Sequence, residues 1–215
     1  EMCIRDRFFH VPLTEQPEYN GTQLIHSKVI ASYLRQLLRN DLQYAPFRME
    51  GMEQDVREMM EIDTPQGKLA LQIGGTIDRL DSKGDTLRIV DYKTGGTPKT
   101  PENIEQLFTP ADNRPNYIFQ TFLYAAILCR KQSLKVAPSL LYIHRAASES
   151  YSPVIEMGAP RQPKVPVNNF AFFEDEFRER LHGLLQEIFS QEETFSQTED
   201  TRKCEYCDFR SLCKR

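Results

Sequence analysis

Two acids and an amine, Asp78, Asp91 and Lys93, are the residues best suited to chemistry in this sequence. Asp91 and Lys93 are two residues apart, and such side chains point to the same face of a β-strand. Two carboxylates that meet on one face repel each other unless a divalent cation lies between them. Asp oxygens, water and substrate phosphate are the usual ligands of Mg²⁺, and a nearby ammonium can offset negative charge developing at a phosphate. The alternative for an isolated Asp-x-Lys pair is a surface hairpin with solvated charges.

A β-hairpin is predicted to position these three side chains. Residues 74–96 contain two runs of strand-forming residues on either side of the turn formers Asp-Ser-Lys-Gly-Asp at 81–85. One arm carries Asp78, and the other carries Asp91 and Lys93. We therefore expect the hairpin to bring the three charges together.

The two arms of this hairpin resemble a known pair of motifs. The segment IDRLD at 77–81 and the segment IVDYKTG at 89–95 are similar to the IDR and DYK motifs of the RecB-like branch of the PD-(D/E)XK nuclease superfamily. The resemblance implies two metal-binding acids, a catalytic lysine and a backbone carbonyl that can also face a Mg²⁺ or Mn²⁺ ion. These roles fall on Asp78, Asp91, Lys93 and the carbonyl of Tyr92.

A helix predicted from Pro115 to about Lys131 carries a further candidate pair, since proline suits a first helical turn. Gln120 and Tyr124 on this helix are four residues apart and share a face. They resemble the Gln-x3-Tyr motif that follows the DYK strand in RecB-like nucleases and contacts the substrate backbone. The alternative for Tyr124 is half-buried packing.

Three of the five cysteines lie in the last twelve residues, as Cys204, Cys207 and Cys213. Two thiolates in a C-x2-C pair and a third five residues further on can supply most of a tetrahedral metal site. Such a pattern generally indicates a zinc site, and a tail that binds no metal is a further alternative. AddB-type helicase-nuclease subunits have a similar tail around a [4Fe-4S] cluster, with a fourth cysteine far upstream. Here Cys3 is the only cysteine near the start, and Cys129 lies in a helix with a core-like pattern.

The amino-acid composition limits the classes of protein to which the chain can belong. The 215 residues are 40% hydrophobic and 27% charged, which is typical of one globular domain, here 1–215 with a cysteine-rich tail at 201–215. Neither a membrane span nor a secretory signal is recognisable, and we expect a cytoplasmic protein. The net charge of −4 disfavours general polyanion binding, so contact with DNA requires a local groove or another domain.

The resemblance to this nuclease superfamily implies an α/β fold with a restriction-endonuclease-like mixed central β-sheet flanked by helices. Two histidines, His10 and His26, are the candidates for an upstream metal-binding motif, although His26 on the border of a helical apolar stripe also fits a structural role. Glu53 resembles an acidic position of relatives or is a solvated carboxylate. The further predicted elements are a helix at 22–42, strands at 47–62, 136–145 and 154–157, an irregular loop at 158–166 and a helix at 174–190.

The resemblance, which covers most of residues 50–215, implies a nuclease domain, the C-terminal part of a longer helicase-nuclease acting in recombination and double-strand break repair. The expected reaction is exonuclease-type hydrolysis of DNA phosphodiesters with Mg²⁺ or Mn²⁺, and the expected partners are DNA and a helicase domain or subunit. Two alternatives are a non-catalytic DNA-end-binding or scaffold module that keeps the fold, and a zinc-binding interaction domain. The second leaves the acids of the hairpin unexplained.

Overall fold

A four-stranded mixed sheet forms the centre of the protein, in a computed structural model that describes residues 18–111, 114–148, 150–189 and 196–214. The strand order is β1-β2-β3-β4, with two antiparallel pairs followed by the parallel pair β3 and β4. This arrangement confirms the predicted α/β fold with a mixed sheet flanked by helices. The strands are β1 (Arg48–Thr64), β2 (Gly67–Lys83), β3 (Thr86–Lys93), β4 (Lys135–Tyr142), β5 (Glu156–Met157) and β6 (Val165–Pro166), and the α-helices are α1 (Gly21–Tyr44), α2 (Asn116–Cys129), α3 (Glu174–Phe189) and α4 (Arg210–Cys213).

Two tight turns create the strand order. The turn between β1 and β2 contains Pro65 and Gln66, and Gly67 after it has a φ of 121°, which glycine adopts at no steric cost. The turn between β2 and β3 contains Gly84 at a φ of 62°, inside the predicted cluster of turn formers. The parallel pair β3 and β4 needs a longer connection, and α2 lies within it.

The main core lies where α2 and α3 pack on the sheet. Its centre is a set of phenylalanines in edge-to-face or tilted contact, and the ring centroids of Phe122 and Phe170 are 4.9 Å apart. An ion pair then ties α3 to β1, because the Arg178 guanidinium donates to both oxygens of Glu58 at 3.0 and 2.8 Å. The fully buried phenylalanines are Phe122, Phe170 and Phe177.

Helix α1 packs on the sheet through only part of its predicted apolar stripe. Its Tyr33 and Leu37 pack against Val90 and Leu141 in a smaller core cluster, whereas most of the apolar stripe that predicts the helix is exposed. Tyr33 and Leu37 belong to that stripe, so only one part of it packs on the sheet, and the apolar period predicts the helix without predicting how much of it is buried. The exposed apolar residues of α1 are Leu24, Ile25, Val29, Ile30, Leu34, Leu38 and Leu42.

Three predicted boundaries are wrong. The strand expected at 136–145 ends at Tyr142, and Ile143–Arg145 form a 3-10 helix. The strand expected at 154–157 meets β4 only through an isolated bridge between Ser139 and Val154. Its last two residues pair instead with β6, inside the loop expected to be irregular. These short elements are decided by backbone pairing between distant segments, which local patterns do not encode.

No helix in the described part of the chain is long and apolar enough to cross a membrane.

Candidate active site

The antiparallel pairing of β2 and β3 places the two candidate acids beside each other. Arg79 pairs with Val90, and continuing that register by one position sets Asp78 opposite Asp91. Directly opposed residues on neighbouring strands lie close enough to interact, and the Asp78 carboxylate does raise the pKa of Asp91. The site is therefore an acidic pair at the end of a hairpin.

The Asp91 carboxyl group is buried and has an ammonium as its neighbour. Asp91 is 4% exposed, and its Oδ2 lies 2.6 Å from the Nζ of Lys93. Burial raises the pKa of Asp91 above its ordinary value, the Lys93 ammonium opposes that shift, and Asp78 adds to it. The short distance shows that Asp91 and Lys93 share one side of β3, as the period of a strand predicts.

Asp78 is anchored through the backbone of the facing strand. The N–H of Tyr92 donates to the Oδ2 of Asp78 at 2.8 Å, so one carboxylate oxygen holds the two strands in register. The side chain of Tyr92 accepts a bond at its hydroxyl from the Nη1 of Arg79, at 3.2 Å. Tyr92 therefore links the acidic pair to a second layer of polar groups.

That second layer is a network of buried charges between the hairpin and α1. Arg79 contacts both oxygens of Asp41 through Nη1, at 3.0 and 2.8 Å, and donates to Asp81 through Nε at 2.8 Å. Arg88 also donates to Asp81, at 2.9 and 2.7 Å. Two guanidinium groups thus meet two carboxylates, and this pairing offsets the cost of burying the charges. Sequence patterns give no signal for Asp41, which lies far upstream of the hairpin.

Lys93 has a second neighbour that the sequence analysis missed. Its Nζ lies 4.1 Å from the centroid of the Tyr117 ring, in the first turn of α2. An ammonium over an aromatic face is attracted by the ring, so Tyr117 and Asp91 together hold the amine. Tyr117 keeps 45% of its surface exposed. Its one signal in the sequence is an aromatic residue three positions before Gln120 of the Gln-x3-Tyr motif.

Gln120 and Tyr124 share one face of α2, as predicted, and contact each other. The Gln120 amide donates to the Tyr124 hydroxyl at 2.9 Å. Tyr124 is only 5% exposed, and its hydroxyl lies against Gly75 of β2, where an added Cβ would be 2.6 Å away. The half-buried Gln120 is therefore the member of the pair that can reach a substrate.

The acidic pair has the donor set that a hard divalent cation requires. Apart from the ion pair with Lys93, the buried Oδ2 of Asp91 has no hydrogen-bond partner among the residues that the structure describes. The Lys93 ammonium offsets part of the cost of burying this carboxylate, and a cation beside it would also offset the repulsion from Asp78. The two carboxylates fit Mg²⁺ or Mn²⁺, whose remaining ligands are commonly water and substrate phosphate.

The structure does not assemble the cysteine tail into a metal site. Within the described ranges, no group of three or more potential ligands is set to hold a metal ion, Cys204, Cys207 and Cys213 included. Burial raises the pKa of Cys129 to about 11, which disfavours the thiolate that ligation needs. Cys204, Cys207 and Cys213 therefore offer three of the four thiol ligands that a [4Fe-4S] cluster or a structural zinc site takes, and Cys129 is a poor fourth ligand. Cys3 lies outside the described residues.

Among the other sequence candidates, His26 stands apart from the hairpin chemistry, whereas Glu53 lies beside it on β1. His26 is exposed on α1, and His10 lies outside the described residues. Glu53 is exposed and has a φ of 48°, a left-handed backbone that carries strain in a residue other than glycine. Continuing the pairing of Met52 with Arg79 and of Gln54 with Ile77 sets Glu53 opposite Asp78.

A comparison with protein families identifies the superfamily to which the chain belongs. No individual curated protein matches the chain significantly. A family model matches residues 3–214, which is nearly the whole sequence, and that family is described as the PD-(D/E)XK nuclease superfamily. Nucleases of this superfamily generally use Mg²⁺ or Mn²⁺, and their reaction is hydrolysis of nucleic acids. The chain, with its Asp78, Asp91 and Lys93 at one end of a β-hairpin, belongs to the PD-(D/E)XK nuclease superfamily.

Proposed function

We propose that the protein is a metal-dependent deoxyribonuclease of the RecB-like, AddB-type branch that hydrolyses DNA phosphodiester bonds. The observation that carries this proposal is the pair of opposed acids with Lys93 Nζ 2.6 Å from the Oδ2 of Asp91. A degenerate copy of the fold, serving as a scaffold, has no need to keep two opposed acids, one of them buried, with an ammonium beside them. The intact set therefore favours catalysis over a binding module.

The residues divide the chemistry between them. Asp78 and Asp91, with the carbonyl of Tyr92, would hold a Mg²⁺ or Mn²⁺ ion, which supplies Lewis-acid polarisation of the phosphate and a water of lowered pKa. Lys93 orients the attacking water and offsets negative charge that develops on the phosphate oxygens. Tyr92 holds Asp78 in register through its backbone N–H. Gln120, next to Tyr124, contacts the backbone of the substrate.

The wider context is part of the same proposal. The IDR and DYK motifs and the C-x2-C-x5-C tail together favour a nuclease domain that works with a helicase domain or subunit in the repair of double-strand breaks, in the cytoplasm. Cys204, Cys207 and Cys213 would ligate a [4Fe-4S] cluster, with zinc as the alternative. The mode of cleavage proposed is exonucleolytic.

Single substitutions at the three charged residues test the reaction. Asp78→Ala, Asp91→Ala and Lys93→Ala are each expected to lower the rate of DNA hydrolysis by at least about 100-fold, as loss of a key electrostatic group does. Far-ultraviolet circular dichroism should stay unchanged, because none of the three fills the core. Asp63→Ala and Lys68→Ala, exposed near the β1–β2 turn, are matched controls and should keep full activity.

The choice of DNA substrate separates the alternatives. Linear DNA should be degraded in Mg²⁺ or Mn²⁺ and not in a chelator, while covalently closed circles should survive. Cleavage of closed circles would contradict the exonuclease mode. Tight binding to DNA ends without cleavage in either metal would favour the scaffold function and overturn the proposal.

A further inference from the structure

A cavity at the C-terminal end of α1 has no part in the chemistry proposed for the hairpin. Its volume is about 310 Å³, which is at the lower limit of ordinary ligand cavities. The sheet forms its floor, with Arg88 of β3 and with Ala137 and Ser139 of β4. Tyr44 lies over Arg88 on one side, and Val154 lies beside Ser139 on the other. We call this feature the Arg88 cavity.

The sheet itself separates the Arg88 cavity from the candidate active site. Side chains alternate between the two faces of a strand, so Arg88 and Asp91 of β3 point to opposite faces. In agreement, Ile89 belongs to the main core on the α2 side, whereas Val90 packs under α1. Arg88 also precedes Lys93 by five residues, roughly 16 Å along the strand. A group bound in the Arg88 cavity is therefore remote from a phosphate at the acidic pair.

Two cations meet at one aromatic ring on the rim of the Arg88 cavity. The guanidinium carbon of Arg88 lies 3.5 Å from the centroid of the Tyr44 ring, and the Nζ of Lys83 lies 4.6 Å from the same centroid. Arg88 shares its carboxylate partner, Asp81, with Arg79. Lys83 donates to the backbone carbonyl of Tyr44 at 2.5 Å, which neutralises no charge. Positive charge is therefore in excess at this rim.

The polar groups that line the Arg88 cavity suit an anion with several oxygens. Arg88 is only 5% exposed, and its bonds to Asp81 use Nε and Nη2, so Nη1 is the nitrogen left for a ligand. Lys83 and Ser139 add an ammonium and a hydroxyl, and none of the described residues that line the cavity is an acid. A phosphomonoester matches this set, because it carries about 1.5 to 2 negative charges at neutral pH and three acceptor oxygens.

The wall opposite Tyr44 is apolar and fixed in place. Pro153, Val154 and Val167 line it. The carbonyl of Pro153 accepts from the N–H of Leu140 of β4 at 2.9 Å, and the N–H of Val167 donates to the carbonyl of Ile155 at 2.8 Å. Inorganic phosphate alone would leave this wall uncovered, whereas a ligand with an apolar body would remove it from water, which favours binding. A wall that is already held in position loses little freedom on binding.

We propose that the Arg88 cavity binds a small phosphomonoester, with its phosphate between Lys83 and Arg88 and a compact apolar body against Pro153 and Val154. This site is separate from the centre at Asp78 and Asp91, and it does not depend on the proposed cleavage of DNA.

Binding of phenyl phosphate to the metal-free protein tests the site. The protein is titrated in a chelator and followed by phosphorus NMR, so that the acidic pair holds no cation and repels the anion. The phosphorus resonance should shift and broaden, with saturation at one molecule per protein. Phenyl phosphate should bind more tightly than inorganic phosphate, because only the former covers the apolar wall. Phenol, followed by proton NMR, should not bind.

Three variants locate the binding. Lys83→Gln should weaken the binding of phenyl phosphate by about 10-fold, the loss expected for one hydrogen bond to a charged group. Ala137→Leu should abolish binding, because Ala137 lies beside Arg88 in the floor and the longer side chain would fill the cavity. Lys68→Gln makes the same change of charge near the β1–β2 turn, where Lys68 is exposed, and should leave binding unchanged. Thermal melting of each variant controls for folding.

Three outcomes would overturn the inference. The first is the absence of saturable binding by the wild type, and the second is equal affinity of the wild type and folded Lys83→Gln. The third is displacement of phenyl phosphate by a single-stranded oligonucleotide without a terminal phosphate, which would assign the Arg88 cavity to the backbone of DNA. A protein that binds phenyl phosphate as expected but never cuts DNA keeps this site and loses the proposed function.

Discussion

Arg79 of β2 contacts both carboxylate oxygens of Asp41 of α1 through one nitrogen, Nη1, at 3.0 and 2.8 Å. The same nitrogen donates to the hydroxyl of Tyr92, whose backbone N–H holds Asp78. A helix far upstream in the sequence is thereby connected to a proposed metal ligand in three steps. Groups that orient ligands from behind typically change metal affinity or activity by about 10- to 100-fold when they are removed.

The first prediction concerns this connection. Asp41→Asn should weaken binding of Mn²⁺, followed by electron paramagnetic resonance, by about 10-fold, because Arg79 then loses the charge that holds it near Tyr92. It should also lower the free energy of unfolding by about 3 kcal/mol, the cost of breaking one side of a largely buried ion pair. Asp55→Asn, in an exposed ion pair with Arg57, is the matched control. Unchanged Mn²⁺ affinity in folded Asp41→Asn would make the contact purely structural.

The second prediction concerns pH. Burial raises the pKa of Asp91, so between its unfolded and folded values the folded protein binds more protons than the unfolded chain. The free energy of unfolding of the metal-free protein should therefore fall as the pH rises through that window, which begins at about pH 4. Melting curves in a chelator should show this decrease. Asp91→Asn should remove it and Asp63→Asn should keep it; the same curve in all three proteins would contradict the assignment.

Metal binding should show the opposite dependence on pH. A proton on Asp91 competes with the cation, so the affinity for Mn²⁺ should fall as the pH is lowered through the raised pKa of Asp91. The loss should begin at a higher pH than an ordinary Asp requires. Affinity that stays constant down to the usual Asp range would show that Asp91 does not bind the metal.

The third prediction concerns Gln120 and Tyr124. Because the Tyr124 hydroxyl accepts from Gln120 and is buried, Tyr124→Phe should act by releasing the Gln120 amide. We expect Gln120→Ala to lower the cleavage rate by about 10-fold, Tyr124→Phe to lower it less, and the double variant to match Gln120→Ala, as coupled residues do. Additive losses in the double variant would show that the hydroxyl contacts the substrate separately.

The fourth prediction concerns the cysteine tail. If the three thiolates ligate iron, the anaerobically purified protein should be brown with broad absorbance near ~400 nm, and Ser at Cys204, Cys207 or Cys213 should remove the colour. Cys129→Ser should keep it, since the raised pKa of Cys129 disfavours ligation. A colourless protein with one equivalent of zinc would establish the zinc alternative, and a protein without either metal would contradict both.

Short-range sequence patterns were sufficient to predict the hairpin and the placement of its charged residues. Residues two apart on a strand must share a face, and a Gly-containing turn between two β-rich runs must bring those runs together. The positions of Asp91 and Lys93 on one side, and the arrival of Asp78 beside them, follow from these local rules. The helix at Gln120 and Tyr124 follows in the same way from the spacing of its residues.

Such short-range patterns could not predict the contacts between segments that are distant in the sequence. The ring of Tyr117 over Lys93, the pairing of Asp41 with Arg79 and the exposure of Leu38 on α1 depend on where whole elements come to lie. A helical period shows that a stripe of apolar residues exists, but the side on which the helix docks is chosen by the total burial, charge pairing and hydrogen bonding of the assembled chain. Packing of α2 against β3 and β4 likewise brings Tyr117 to a cavity that Tyr142 also lines.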